Sequence, residues 1–131
     1  MIPVMRRVII LLAIILAGWL AFDGIHALVT GDYVTPRSGQ YAGRLGPWSN
    51  LFTAVGIDPR GVFVKCLHVF IGAAWLGVVA WFAVGGRRAW LPMLICAVGG
   101  LWYLPFGTLI SVVVIALLFV PAVRAGHAAL D

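Results

Sequence analysis

Charged side chains are scarce in this sequence, and glutamate is absent altogether. Only 10% of the 131 residues are charged and 63% are hydrophobic, whereas an ordinary soluble domain has roughly 25% and 45–50%. A water-soluble fold of this length could not cover so much apolar surface with polar groups. The composition therefore excludes a soluble globular protein and indicates a single membrane domain over residues 1–131, without room for a separate soluble module.

Sequence signatures of catalysis are also missing. There is no Gly-rich phosphate loop, Cys-x-x-Cys, His-Glu-x-x-His or serine-nucleophile elbow. The net charge is +5, but the arginines stand singly or in pairs between apolar runs, which is typical of topology signals and not of a nucleic-acid-binding face. Cys66 and Cys96 lie in different apolar runs, where thiols behave as small hydrophobes, so we expect no disulfide. The sequence favours a non-enzymatic protein without a nucleic-acid partner.

The apolar run at residues 8–28 organises the rest of the chain. Its only titratable side chains are Asp23 and His26, and Arg6 and Arg7 precede it directly. At about 1.5 Å per residue, a helix of this length covers the roughly 30 Å of bilayer hydrocarbon. The run exceeds the 7–15-residue core of a signal peptide, and no small-x-small cleavage site follows it. We therefore expect an uncleaved membrane anchor.

The remaining apolar runs predict three further crossings. Asp58 and Pro59 suit the N-cap and first turn of a second helix. Residues 89–123 would form a helix about 50 Å long, too long for one crossing, so the chain must turn back at Pro105 and Gly107. We therefore predict an all-α, polytopic membrane protein with four transmembrane helices. The predicted spans cover about residues 5–29, 59–84, 89–104 and 107–124.

A short amphipathic helix is predicted within the first external loop, residues 30–58. Trp48, Leu51, Phe52 and Val55 occupy positions i, i+3, i+4 and i+7 of the segment 47–55, with polar residues between them. This spacing places four apolar side chains on one helical face. We expect an interfacial helix that lies flat on the bilayer and covers the outer end of the bundle.

The segment around the predicted last turn reads Trp102-Tyr103-Leu104-Pro105-Phe106-Gly107-Thr108 and precedes an apolar helix. With its Pro-x-Gly-Thr core, it resembles the last hairpin of uncharacterised small bacterial integral membrane proteins with four helices. The resemblance covers roughly the last third of the chain. It implies the same four-helix topology and brings no activity with it.

The arginines fall into two groups if the chain crosses the membrane four times. The positive-inside rule assigns the larger group to the cytoplasm. We therefore expect a multi-pass protein of the cell (inner) membrane, with both termini cytoplasmic and the 30–58 loop outside. The cytoplasmic group is Arg6, Arg7, Arg87, Arg88 and Arg124, and the outer group is Arg37, Arg44 and Arg60, with Lys65 just inside the membrane.

Small residues recur every fourth position on the first two predicted helices, where they let membrane helices approach closely. If the first helix ends near residue 29 and the second begins near residue 60, antiparallel residues at equal depth have numbers that sum to about 89. This register pairs Ala17 with about Ala73 and Ala13 with about Gly77. We therefore expect the two helices to pack along Ala13, Ala17 and Ala21 of the first and Ala73 and Gly77 of the second.

Four ionisable side chains form a predicted polar cluster near the outer surface: Asp23, His26, Lys65 and His68. Lipid penalises such groups, which makes them candidates for function. The register places Asp23 level with Lys65, so we expect an ion pair between the first two helices, with the histidines bonded to the loop. The alternatives are a ligand pocket under the 47–55 helix, a haem between His26 and His68 despite a depth difference of about 7 Å, and a metal site, which the Lys65 charge disfavours.

Two classes of function follow. The favoured one is a small non-enzymatic membrane protein that acts through contacts, as an accessory or assembly subunit of a larger membrane complex, because the chain offers no catalytic constellation. The alternative is a protein that binds a small molecule, an ion or a haem through the outer polar cluster, as a transporter protomer or b-type haem carrier. The expected partners are the lipid bilayer and other membrane subunits or a second copy, and the favoured class needs no cofactor.

Overall fold

The computed structural model describes residues 2–85, 87–103 and 105–124, and all its regular elements are helical. Gly86 and Leu104, which the sequence places in the two chain breaks, lie outside the described residues, as do residues 125–131. The helices are α1 (Ile2–Thr30), α2 (Trp48–Ala54), α3 (Val62–Ala83), α4 (Trp90–Gly99) and α5 (Phe106–Leu118), with a single 3-10 turn at Arg87–Ala89 before α4.

Two of the helices are long and apolar enough to cross a membrane. They are Val4–Thr30 within α1, with 27 residues, and the whole of α3, with 22 residues. At 1.5 Å per residue, α3 is about 33 Å long, which matches the hydrocarbon thickness. The apolar helices α4 and α5 have only 10 and 13 residues. The all-α prediction is thus confirmed for the described ranges.

The four longer helices contact one another in the cyclic order α1, α3, α4, α5. α1 touches both α3 and α5, and α4 touches the same two helices from the other side. The apolar core lies between them. Its fully buried side chains include Ile9, Leu20, Trp75, Phe82, Met93, Val114 and Leu118.

Glycine at position 72 sets the closest approach of α1 and α3. A Cβ on Gly72 would lie 2.5 Å from the Ala21 nitrogen and 2.6 Å from the Ala17 oxygen, so the two backbones are in direct contact. The expectation that Ala73 and Gly77 line this contact needs correction, because both are exposed and a Cβ on Gly77 would meet nothing within 4 Å. The contact face of α3 lies one residue, about 100°, from the expected one.

The depth register of the two helices agrees more closely with the expectation. A Cβ on Gly24 would lie 2.8 Å from the His68 Cβ and 2.9 Å from the Lys65 oxygen. Ala17 meets Gly72 where Ala73 was expected. Gly24 lies against the turn of α3 from Lys65 to Val69, so Asp23 lies within about one helical turn of Lys65 in depth.

The beginning of α3 differs from the expected Asp58-Pro59 start. The Asp58 Oδ1 accepts the Arg60 N–H at 3.0 Å, and the Asp58 carbonyl accepts the Gly61 N–H at 3.0 Å. These bonds form a local turn that competes with helix capping. Gly61 takes the extended N-cap conformation instead, and the helix begins at Val62.

The turn between α4 and α5 is also close-packed. A Cβ on Gly107 would overlap the Tyr103 side chain and lie 2.7 Å from the Gly100 oxygen. The Thr108 hydroxyl donates to the Leu101 carbonyl across the turn. This packing fixes the position of Tyr103 in the turn between α4 and α5.

Candidate functional site

Asp23 and Lys65 lie within about one helical turn of each other in depth but bind different partners. The Asp23 Oδ1 accepts the Val34 backbone N–H at 2.8 Å, and the Lys65 Nζ donates to the Gly31 carbonyl at 2.8 Å. No ion pair within 4.0 Å joins the two side chains. The expected Asp23–Lys65 pair is therefore corrected: each charge binds loop backbone.

His26 holds the same stretch of loop. Its Nδ1 lies 2.9 Å from the Asp32 carbonyl, and because a carbonyl only accepts, Nδ1 carries the proton and donates. Together with Asp23 and Lys65, His26 binds backbone groups of residues 31–34. Three of the four predicted cluster residues thus fasten the beginning of the loop to α1 and α3.

His68 is enclosed by aromatic rings and is fully buried. Its Nδ1 donates to the Val64 carbonyl at 2.8 Å, and its Nε2 has no hydrogen-bond partner among the described residues. The enclosing rings are Tyr33, Trp48, Trp102 and Tyr103, with centroids 4.9, 4.7, 5.4 and 5.7 Å from the imidazole.

The two histidines do not share a site. His26 faces the loop carbonyl of Asp32, whereas His68 lies inside the aromatic enclosure. The residues present therefore do not fit a haem bridging them, because the enclosing rings occupy the space beside the His68 imidazole. The described ranges also hold no group of three or more His, Cys, Asp or Glu side chains placed to bind a metal ion.

Helix α2 covers this enclosure with two of its four predicted apolar residues. Trp48 is 3% exposed, and the Phe52 ring packs against Trp102 at a centroid distance of 5.3 Å. Leu51 and Val55 point away from the bundle, with 45% and 71% exposure. Val55 follows the last residue of α2, so the expected i+7 position falls outside the helix.

A groove of about 1210 Å³ opens between α1, the 33–50 segment and the beginning of α5. Its lining is largely apolar, and several polar side chains lie at the end beside the loop. Along α1 it extends from Ile14 to Asp23, nine residues or roughly 14 Å. The apolar lining includes Ile14, Ile15, Phe22, Phe106 and Ile110, and the polar lining includes Asp23, Tyr41, Arg44 and Asn50.

Tyr33, Trp48 and Tyr103 line the groove and also enclose His68, so their rings form the wall between the two. The Tyr33 hydroxyl donates to the Pro59 carbonyl at 2.8 Å. Burial raises the pKa of Tyr33 well above its ordinary value, so the hydroxyl remains a donor. The Tyr103 hydroxyl accepts the Trp19 Nε1–H at 2.8 Å, which joins α1 to the α4–α5 turn.

Sequence reasoning missed this wall. It placed Trp48 on an interfacial helix and Trp102 and Tyr103 in the segment around the last turn, and it did not bring them together. The available signal was the clustering of aromatic residues near polar side chains at one predicted depth, since buried tyrosine and tryptophan need hydrogen-bond partners. No family model, curated protein or solved structure matches the chain.

Proposed function

We propose that this is a multi-pass protein of the cell (inner) membrane, with α1, α3, α4 and α5 embedded and both termini cytoplasmic. Many large apolar side chains point outward, among them Phe70 at 69% and Phe106 at 70% exposure, and a soluble monomer rarely exposes so much apolar surface. Residues 87–103 and 105–124 are helical or turn-like throughout, which supports two short crossings in addition to α1 and α3.

This topology is tested by cysteine labelling in intact cells. A cysteine at Ser38, in a background lacking Cys66 and Cys96, should react with a membrane-impermeant thiol reagent before lysis. The positive-inside distribution of arginines supports this outcome. Labelling at Ser38 only after lysis would reverse the orientation.

We propose further that the protein binds an amphiphilic small molecule in the groove. The observation that carries this proposal is the combination of size and polarity: about 1210 Å³, a largely apolar lining, and the polar side chains of Tyr41, Arg44 and Asn50 on the loop side. Small-molecule sites typically measure roughly 300–1,000 Å³, so this groove suits a molecule with a long apolar chain. The chain would lie along Ile14 and Ile110, and the polar group would lie near Asp23 and Arg44.

Native mass spectrometry of the protein purified in mild detergent tests this proposal. Gly18 lines the groove and a Cβ there would meet nothing within 4 Å, so Gly18→Phe places a ring in the groove without disturbing the core. Gly77→Phe is the matched control, because Gly77 is on an exposed face of α3 with equally open space. We expect one bound lipid in the wild type and in Gly77→Phe, and about tenfold less in Gly18→Phe, equivalent to roughly 1.4 kcal/mol.

Two results would contradict the amphiphile proposal. One is the absence of a bound lipid in the wild type, and the other is an equal loss in both phenylalanine variants. A second protein bound in place of the lipid, and displaced by Gly18→Phe but not by Gly77→Phe, would instead favour the accessory-subunit role.

A further inference from the structure

Arg44 is the cationic side chain that lines the groove. It is exposed, and its guanidinium makes no hydrogen bond or ion pair with any residue in the described part of the chain. The backbone around it is fixed, because the Arg44 N–H donates to the Tyr41 carbonyl at 3.0 Å and the Gly43 carbonyl accepts from the Arg60 Nη2 at 2.8 Å. A held backbone thus presents an unused cation at the mouth of the groove.

Two of the other cations near the outer end already have partners. Arg60 pairs with Asp32, and Lys65 donates to the Gly31 carbonyl. Arg37 is exposed and unpartnered within the described ranges, but it does not line the groove. Arg44 is therefore the one cation of this group that both lines the groove and lacks a protein partner.

The negative side chain of the groove is, in contrast, already bound. The Asp23 carboxylate accepts the Val34 N–H at 2.8 Å, interacts with the Tyr103 hydroxyl, and is only 3% exposed. An occupant entering past the loop meets the Arg44 charge at the exposed mouth, whereas Asp23 is enclosed deeper in the groove. The charge that the protein leaves uncompensated for a ligand is positive.

We infer that the occupant of the groove is a lipid with an anionic, phosphate-bearing headgroup, which Arg44 binds at the mouth. This inference rests on the amphiphile-binding function proposed above. Guanidinium matches phosphate geometry and binds two of its oxygens at once. Tyr41 and Asn50 line the same end of the groove and are exposed, so their hydroxyl and amide groups supply further donors to the same phosphate oxygens.

The test is a competition between two lipids with identical acyl chains. Delipidated protein is equilibrated with equal amounts of phosphatidylglycerol and phosphatidylcholine, and bound lipid is counted by native mass spectrometry. We expect the wild type to prefer phosphatidylglycerol by about tenfold, and Arg44→Gln to lose that preference. Arg37→Gln is the matched control, a second exposed loop arginine without a place in the groove, and should keep the wild-type preference. Arg44→Lys should keep part of it, since the charge remains but the two-point geometry is lost.

The outcomes separate this inference from the proposed function. Lipid bound by the wild type without a preference, or an equal loss of preference in Arg44→Gln and Arg37→Gln, overturns the headgroup assignment alone. Failure of the wild type to bind either lipid overturns the amphiphile-binding function, and the headgroup assignment with it.

Discussion

The two flanks of α1 are built in opposite ways. On the flank toward α3, the backbones touch. Backbone atoms of Ala17 and Ala21 occupy the space that a Cβ on Gly72 would need, and the His68 Cβ lies where a Cβ on Gly24 would be. On the flank toward α5 and the loop, the groove of about 1210 Å³ opens beside α1. One helix therefore has a closed flank and an open flank.

The difference shows how residue size divides stability from binding in this molecule. The closed flank has contacts between small residues, which membrane helices use in place of a hydrophobic driving force. On the open flank, large aromatic side chains lie between α1 and the α4–α5 turn and form hydrogen bonds across the gap, as Trp19 does with Tyr103. We expect substitutions on the closed flank to cost stability and those on the open flank to alter the groove.

Adding one methyl group to the closed flank should have the largest effect. In Gly72→Ala, the new Cβ would lie 2.5–2.6 Å from backbone atoms of Ala21 and Ala17, which cannot move without separating the helices. We expect the free energy of unfolding in detergent, from a denaturant titration, to fall by about 2–3 kcal/mol, at the upper end for overpacking. Gly77→Ala, five residues along the same helix but facing open space, should be neutral or slightly stabilising. Equal effects of the two alanines would show that α1 and α3 do not meet at Gly72.

Releasing the loop that roofs the open flank should have the next largest effect. Asp23→Ala removes the acceptor of the Val34 N–H in a part-buried hydrogen bond, and losing a hydrogen bond of this kind costs about 1 kcal/mol or more. We expect hydrogen exchange at the Val34 amide to accelerate about tenfold or more, while exchange in the middle of α3 is little changed. The control is Asp58→Ala, whose carboxylate accepts the Arg60 N–H elsewhere in the loop. Unchanged protection of Val34 in Asp23→Ala would remove Asp23 from the group of side chains that fasten the loop.

The sequence predicted approximately which residues of α1 and α3 face each other in depth, but not which face of α3 contacts α1. Equal-depth numbering of two antiparallel helices placed Ala17 opposite Ala73, and the structure places it against Gly72. The error is one residue, yet one residue is about 100° around a helix. α1 and α3 are apolar on all sides, so no polar face indicates which small residues point inward.

The open flank was beyond sequence reasoning for a different reason. Its walls come from α1, the 33–50 segment and the beginning of α5, and their meeting depends on the path of an irregular loop. The sequence placed Asp23 and Lys65 near each other in depth, and it paired them because side-chain partners alone were considered. Backbone groups of residues 31–34 took both charges instead, and such groups leave no signature in the sequence.

The brace across the open flank should make a smaller contribution. Trp19→Phe keeps the ring in the groove lining but removes the hydrogen bond to the Tyr103 hydroxyl, so we expect the free energy of unfolding to fall by about 1 kcal/mol. Trp81→Phe is the matched control, since Trp81 is exposed to nearly the same extent, 42% against 40%, and should change little. A loss in Trp81→Phe as large as that in Trp19→Phe would mean that indole size, and not the brace, is being measured.

The surface ion pair at the rim of the open flank should contribute least to stability. Arg60 and Asp32 are paired, but both side chains are 42% exposed, and pairs of this kind contribute roughly 0–1 kcal/mol. We expect Asp32→Asn to lower the free energy of unfolding by less than about 1 kcal/mol, and the loss to shrink in high salt, where screening is nearly complete.

Arg60→Gln should cost more, because it also removes the hydrogen bond to the Gly43 carbonyl. That bond holds the turn that presents Arg44, so Arg60→Gln should weaken the preference for anionic lipid while Asp32→Asn leaves it intact. A double-mutant cycle of Asp32→Asn and Arg60→Gln separates the two roles of Arg60. A coupling energy above about 2 kcal/mol would contradict the assignment of a weak, exposed ion pair. Equal lipid preferences in Asp32→Asn and Arg60→Gln would show that the Gly43 contact does not position Arg44.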